Sequence, residues 1–471
     1  MATVSGTAIT GDGRATIEKT ISVVESDIFT SITEDMLESV FELEKCTNWV
    51  KENDFQRICL QFPDEYLTHS PKIVEYMSAI TGKRYYILAD STYGSCCVDE
   101  KTAQHVPNSD SIIHFGPSCL TTTSGRIPVL YVFTRPPVNQ QNLEKVFVDN
   151  VAVDEKVLIL YDVIYEYAVD ALYNKISTSH PFAKKSTLIV PSTSKDNQDV
   201  SPNVILKHNR IIPCETTEEL ESFNVFYVGQ RALPNLMLCM PTNTFKVYDP
   251  ALTSKQSVST QMSAINKLIR KRSYYIEKVK DATSVGILVG TLVVQNYLSV
   301  IDRLKQILKK VGKKYYIVSI GEINPCKLGN FMDIECFVFV GCPEVVNYYI
   351  GDESKGQFFQ PILTPYDIEL AFCEGANEAW GQEYVIDWSF LVAKGEPIVN
   401  KVEEDVSLIT GGMRSAVINS ESDNNEDSGA GVINWRGLTK QDELMNDPNV
   451  VYQGRSGIAS SYSDEPPVKS T

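Results

Sequence analysis

The stretch YILADSTYGSCCVDE, Tyr86–Glu100, decides how this chain reads. A run of β-branched and aromatic residues, the composition of a strand, stops at Asp90. A short Ser/Thr/Gly loop then delivers two adjacent cysteines, Cys96 and Cys97. SIIHFGPSC, ending at Cys119, and CFVFVGCPE, carrying Cys342, have the same form: an apolar strand, a glycine, a thiol. In open α/β sheets ligands bind beyond the carboxyl ends of the strands, and thiolates are the ordinary ligands of iron–sulfur clusters. Three such loops meeting in space would hold a cluster, with Cys96, Cys119 and Cys342 as the metal-ligating candidates.

Neighbouring side chains in extended backbone point opposite ways. One thiol of the Cys96–Cys97 pair is therefore expected to ligate and the other to pack inward; Cys96 is preferred and Cys97 is the alternative. Cys46, Cys59, Cys336 and Cys373 sit in apolar patterns and read as core thiols, while Cys214 and Cys326 lie in or beside loops. The chain has no CxxC, so spacing alone is a weak signal, and zinc stays open as another thiol-bound metal. His105 and His114 lie nearest the cysteine loops, and His114 is expected to pack at the end of its strand. Asp90, Asp99 and Glu100 read as solvated loop carboxylates, with acid–base groups as the alternative. Phosphate-loop, dinucleotide, zinc-protease and nucleophile-elbow motifs are absent from the sequence.

Bulk properties narrow the class. A net charge of -17 over 471 residues argues against a nucleic-acid partner, since phosphate neutralisation needs Lys and Arg. No apolar run is long enough for a membrane span, and the N-terminal residues lack the apolar core of a signal peptide. Eleven cysteines, an odd number without a secreted-domain spacing, fit a reducing compartment, so a cytoplasmic chain is expected.

Working outward, the same order of segments recurs. RICLQFP, YYILAD and SIIHFGPSC form a first block, closed by IPVLYVF (Ile127–Phe133). KVLILYD, TLIVPS and NVFYVGQ form a second; SVGILVG, KKYYIVSIG and CFVFVGCPE a third. The loops after each third strand align on Gly116, Gly229 and Gly341. Helical patterns fill the intervals, over Thr33 to Asn53, Pro71 to Ile80 and Leu292 to Val311. This predicts α/β architecture: three similar domains with mostly parallel sheets around a central cluster site. One irregular large sheet is the alternative. The expected boundaries are 1–30 for a loosely ordered N-terminus, 31–150, 151–280 and 281–400 for the domains, and 401–471 for an acidic tail with docking segments. QPILTPYDIELAF reads as an X-Pro turn entering a helix.

Together ADSTYGSCCVDE, HFGPSC, VGCPE, PILTPYDIELA and GRSGIASSY resemble the diphthamide synthesis family, and within it the eukaryotic second-subunit branch. The resemblance covers about Phe41 to Trp388 plus the tail islands. It implies a heterodimer with a homologous catalytic subunit, which moves the 3-amino-3-carboxypropyl group of S-adenosylmethionine to a histidine of elongation factor two. It implies a 4Fe–4S cluster and an electron-donor protein. Catalytically competent members take one cluster cysteine from each domain, and by that pattern Cys96 (or Cys97) and Cys342 are the first and third ligands. The middle position departs: no cysteine stands at or just past Gly229. Cys119 is the third candidate, ahead of Cys239 in NLMLCMPT, where an apolar strand is one reading. The resemblance thus implies a supporting, redox-active subunit without independent catalysis, with S-adenosylmethionine at the partner; a scaffold without a cluster is the alternative.

Overall fold

The computed structural model describes residues 32–88, 95–191, 204–251, 258–260, 262–321, 323, 325–344, 358–373, 384–386, 388–393, 395–399, 405–414, 457–458 and 461–462. Readings of the N-terminal segment, of Asp90 and of most of the tail fall outside those residues.

Three larger sheets repeat one strand order. The first contains β1 (Arg57–Gln61), β2 (Arg84–Ile87), β3 (Ser111–Phe115) and β4 (Val129–Val132), all parallel, in the order β2-β1-β3-β4. The second contains β5 (Val157–Tyr161) and β6 (Ala183–Lys185). A small antiparallel sheet of β7 (Thr187–Leu188), β8 (Ile205–Lys207) and β9 (Arg210–Ile212) interrupts it. It then resumes with β10 (Asn224–Val228), β11 (Phe245–Tyr248) and an antiparallel β12 (Val258–Thr260), in the order β12-β11-β10-β5-β6. The third contains β13 (Ser284–Val289), β14 (Lys314–Ser319), β15 (Cys336–Val340) and β16 (Ile362–Leu363), parallel, in the order β14-β13-β15-β16. Second, first, third, fourth: the order is the same each time, and β12 is an addition to the middle sheet.

Apolar sequence explains the central strands. β3, β5, β13 and β15 are buried at every position, as parallel strands covered on both faces must be. Helices supply the crossovers, among them Ser70–Thr81, Glu166–Ile176 and Tyr297–Lys310.

Several local expectations need correction. TLIVPS is not the second strand of the middle repeat: Thr187–Leu188 belongs to the small antiparallel sheet, and the polar AKK of β6 pairs with β5. A short edge strand needs no apolar run, so it left no signal. The helical pattern from Thr33 breaks at Glu42, whose φ of 47° is left-handed, between Leu37–Val40 and Leu43–Glu52. The break lets Phe41 turn fully inward, edge-on to Tyr66 and Phe115. The helix expected from Leu292 starts only at Tyr297, after Asn296 in left-handed backbone. PILTP is a strand as well as a turn: Ile362–Leu363 is β16, and Thr364 then caps helix Pro365–Phe372 with a reciprocal capping box to Asp367.

Residues 425–471 form a separate unit, in which Gly457–Ile458 pairs antiparallel with Ser461–Tyr462. Among the described residues no helix is long and apolar enough to cross a membrane.

Candidate metal centre

The loops that follow β2, β3 and β15 converge. The sulfurs of Cys96, Cys97, Cys119 and Cys342 all lie within 4.8 Å of one another. Cys96 Sγ is 3.6 Å from Cys342 Sγ and 4.0 Å from Cys97 Sγ, and Cys97 Sγ is 3.8 Å from Cys119 Sγ. All four are buried and none is in a disulfide.

Alternation does not separate the adjacent pair. Residues 95–97 form a turn, not an extended strand, so both thiols face the same centre. Gln61, at the end of β1, clamps this loop: its amide donates to the Cys97 carbonyl at 2.8 Å and accepts from Asp99 N–H at 2.9 Å. Cys119 N–H donates to the Cys96 carbonyl at 3.2 Å, and Asn209 donates to the Cys119 carbonyl at 2.9 Å. Asp99 and Glu100 are not solvated: both are buried. Asp99 caps helix Glu100–His105 through Thr102, and Glu100 accepts from Gly125 N–H at 3.2 Å and from the Ser124 hydroxyl. Their work is structural.

The other cysteines lie elsewhere. Burial pushes Cys46 and Cys336 up to about 12 and Cys59 to about 11, the behaviour of inert core thiols. Cys214 and Cys373 are also buried, and Cys326 is exposed. Cys239 ends helix Leu233–Cys239, not a strand, and its Sγ donates to the Tyr384 carbonyl at 3.5 Å, outside the thiol group. Within the quartet the thiols compete for protons. Hydrogen bonding from Cys342, then from Cys96 and Cys97, holds Cys119 well below the usual thiol range, and Cys119 in turn pushes Cys97 and Cys342 well up. The protein environment holds no more than part of this charge; a cation would displace the remaining protons.

The middle repeat contributes no sulfur. Its loop after β10 carries Arg231, whose Nε lies 3.4 Å from Glu344 Oε2 beside Cys342. Asp162, at the end of β5, builds that loop by accepting from the N–H groups of Gln230, Arg231 and Ala232 at 2.8, 2.8 and 2.9 Å and from the Tyr227 hydroxyl. A Cβ on Gly229 (φ 118°) would stand 2.1 Å from Asp162 Oδ2, so this position tolerates only glycine. Asp162→Asn turns a donor group toward those N–H groups. It should cost roughly 3 kcal/mol, read as a lower melting temperature and faster proteolysis at 229–232. Burial, then the Cys96 sulfur, pushes Glu344 up to about 8. Sequence reading missed Arg231, Glu344, Asp162 and His208; an arginine just past the aligned glycine was the available signal for the first. These residues line a cavity of about 270 Å³ that opens on Cys119.

His114 packs as expected, fully buried and edge-on to Tyr131. Burial lowers its pKa to about 4, and that of His208 to about 3. Both folded values lie below the unfolded one near 6.5, so the stability from holding them neutral is present above about pH 6.5 and lost as pH falls toward the folded values. At pH 5 the loss is on the order of 2 kcal/mol for each. Urea midpoints measured from pH 7.5 to 5 should fall, and fall less steeply in His114→Gln.

The profile of the Diphthamide_syn family, diphthamide synthesis proteins, matches residues 62–385. A curated relative from Xenopus laevis, 2-(3-amino-3-carboxypropyl)histidine synthase subunit 2, is 34% identical over 96% of this chain and 98% of its own length. The protein of the same name from Schizosaccharomyces pombe is 30% identical over 94% of each. Among solved structures, Dph2 from Pyrococcus horikoshii with a 4Fe-4S cluster matches with a TM-score of 0.54 and 17% identity, covering 77% of this chain and 95% of that one. That likeness shows the fold. With a profile match across most of its length and relatives similar from end to end, the chain belongs to the diphthamide synthesis protein family.

Proposed function

We propose that this chain is the iron–sulfur second subunit of the heterodimer that begins diphthamide synthesis, transferring the 3-amino-3-carboxypropyl group of S-adenosylmethionine to a histidine of elongation factor two. The observation that carries the reading is the convergence of four buried thiols, from the first and third repeats, on one centre; to hold a cubane their sulfurs would move apart, to roughly 6 Å from one another. Soft thiolates at the carboxyl ends of parallel strands suit an iron–sulfur cluster, and the relative from Pyrococcus horikoshii with this fold has a 4Fe-4S cluster. Cys96, Cys119 and Cys342 are the proposed ligands, and Cys97 is placed to be a fourth. A 4Fe–4S cluster held there supplies one-electron transfer.

Four thiols in reach bear on the division of labour. Three ligands leave one iron of a cubane open to a small molecule; a fourth closes it. The chain's own part is then to bury the cluster and to place Arg231 beside Cys96 and Glu344 as a fixed positive charge. S-adenosylmethionine and the substrate histidine belong at the homologous partner, and a separate donor protein supplies the electron. The reading places the chain in the cytoplasm and treats 31–150, 151–280 and 281–400 as its three domains.

The test is anaerobic purification of the co-expressed pair with metal and sulfide analysis. Iron and inorganic sulfide on this chain are expected, with a broad thiolate-to-iron absorption in the visible. Colourless, iron-free protein would overturn the reading. A single tetrahedral ion is a second reading, favoured by the sulfur spacing of 3.6 to 4.0 Å. Metal–sulfur bonds of about 2.3 Å put tetrahedral sulfurs about 3.8 Å apart. Zinc without inorganic sulfide would identify it. A variant lacking all four cysteines that still supports diphthamide formation would point to a scaffold.

A further inference from the structure

In each repeat a glycine follows the third strand, and the loop beyond it carries one functional side chain. The loop after β3 runs Gly116, Pro117, Ser118, Cys119; the loop after β15 runs Gly341, Cys342; the loop after β10 runs Gly229, Gln230, Arg231. The first and third deliver thiols to the common centre. The middle one delivers a guanidinium.

That loop is built to hold its arginine in place. Asp162 accepts from the N–H groups of Gln230, Arg231 and Ala232, which fixes the backbone at Arg231 from the end of β5. Arg231 Nε then lies 3.4 Å from Glu344 Oε2, two residues past Cys342. Partial burial works against the guanidinium charge, but the Cys96 sulfur, then Glu344, outweighs it and holds the proton more firmly than usual. Other carboxylates nearby are committed elsewhere. Asp162 serves the loop, and Asp249 accepts from Gln230 Nε2 at 2.7 Å and Ala251 N–H at 2.9 Å. A second arginine of the same repeat, Arg210, is buried and lines the same cavity. It donates to the His208 and Tyr161 carbonyls at 2.9 and 2.8 Å, and these partners bring no counter-charge.

We infer that Arg231 sets the reduction potential of the cluster, standing in the middle repeat where the other two place a thiolate and favouring the more negative, reduced state. The inference rests on the iron–sulfur reading above and gives the middle repeat its part in it. Each thiolate ligand adds negative charge, and one-electron reduction adds one more, with no bond made or broken. A cation within reach eases the arrival of that electron, whereas another thiolate would oppose it. The exchange of sulfur for guanidinium therefore suits a centre that must accept an electron from a donor protein. Arg231 touches no substrate in this role; it acts through its charge. The side chain is 40% exposed, so solvent screens part of the effect. The expected change on losing the charge is roughly tenfold in the reduction equilibrium, about 59 mV for one electron.

The test is a redox titration of the anaerobically purified full chain, followed by visible absorption and electron paramagnetic resonance. Arg231→Gln should keep its iron and inorganic sulfide while its midpoint falls by about 59 mV. Arg231→Lys keeps a positive charge and should stay close to the unmodified value. An unchanged midpoint in Arg231→Gln would overturn the inference and leave the iron–sulfur reading standing. An equal fall in Arg231→Lys would trace the effect to the shape of the guanidinium, not its charge, and would overturn it too. Should glutamine loosen the cluster, Arg231→Met is read in its place. Iron lost from both neutral variants would make Arg231 a structural support and overturn the inference. An unmodified chain that holds no iron, or zinc alone, would overturn both readings.

Discussion

Cys342→Ser is expected to strip most of the iron and inorganic sulfide from the anaerobically purified chain, with little change in its fold. Cys342 is the one thiol that the third repeat brings to the group, 246 residues from Cys96, whose sulfur it meets at 3.6 Å. The substitution preserves shape but replaces a soft thiolate with an oxygen that stays protonated at neutral pH. Three sulfurs, all from the first repeat, remain. Cys336→Ser is the matched control. It lies in β15, six residues earlier, buried in the core cluster with Val338 and Val340. That change should keep the iron and cost roughly 1–2 kcal/mol of stability, since it buries a hydroxyl among apolar side chains. Equal iron loss in both variants would mean that Cys342 acts through folding, not ligation.

Asp367→Ala should be the most destabilising single change away from the centre. The Asp367 side chain is fully buried, and Oδ2 receives Arg272 Nη1 at 2.8 Å and Thr364 N–H at 2.7 Å. Its other oxygen accepts from the Tyr384 hydroxyl at 2.8 Å. One carboxylate therefore caps helix Pro365–Phe372, holds Tyr384 and balances a buried guanidinium on helix Met262–Asp281. Removing it leaves the Arg272 charge in the interior without this counter-ion, at about 3–5 kcal/mol. The third repeat should then melt roughly 10 °C lower in a thermal scan of the isolated chain. Replacing the pair together, Arg272→Met with Asp367→Leu, should recover much of the loss, because no charge is then left buried. A double variant no more stable than Asp367→Ala would show that the helix cap, not the charge, carries the cost.

Much of this was legible in the residues. Apolar runs such as VLILY and CFVFV announce doubly covered parallel strands, because such strands need no alternation. The three aligned glycines were legible too, since Gly116 and Gly229 need positive φ and Gly341 faces the ring of Phe339. Polar edge strands such as β6, and the break at Glu42, gave no signal because packing around them, not composition, creates them. Asp99 and Glu100 looked like loop carboxylates because nothing in a linear pattern shows burial.

What the chain determined by itself is the repeated strand–glycine–ligand rhythm and the family it carries, both of which rest on local patterning. What tertiary structure decided is which thiols share a centre. Cys96 and Cys97 face the same point only because a turn, clamped by Gln61 from another strand, replaces extended backbone there. Cys342 joins them, and Arg231 fills the middle repeat's place, because three sheets of one topology pack with their strand ends together, an arrangement set by long-range contacts that no local pattern encodes.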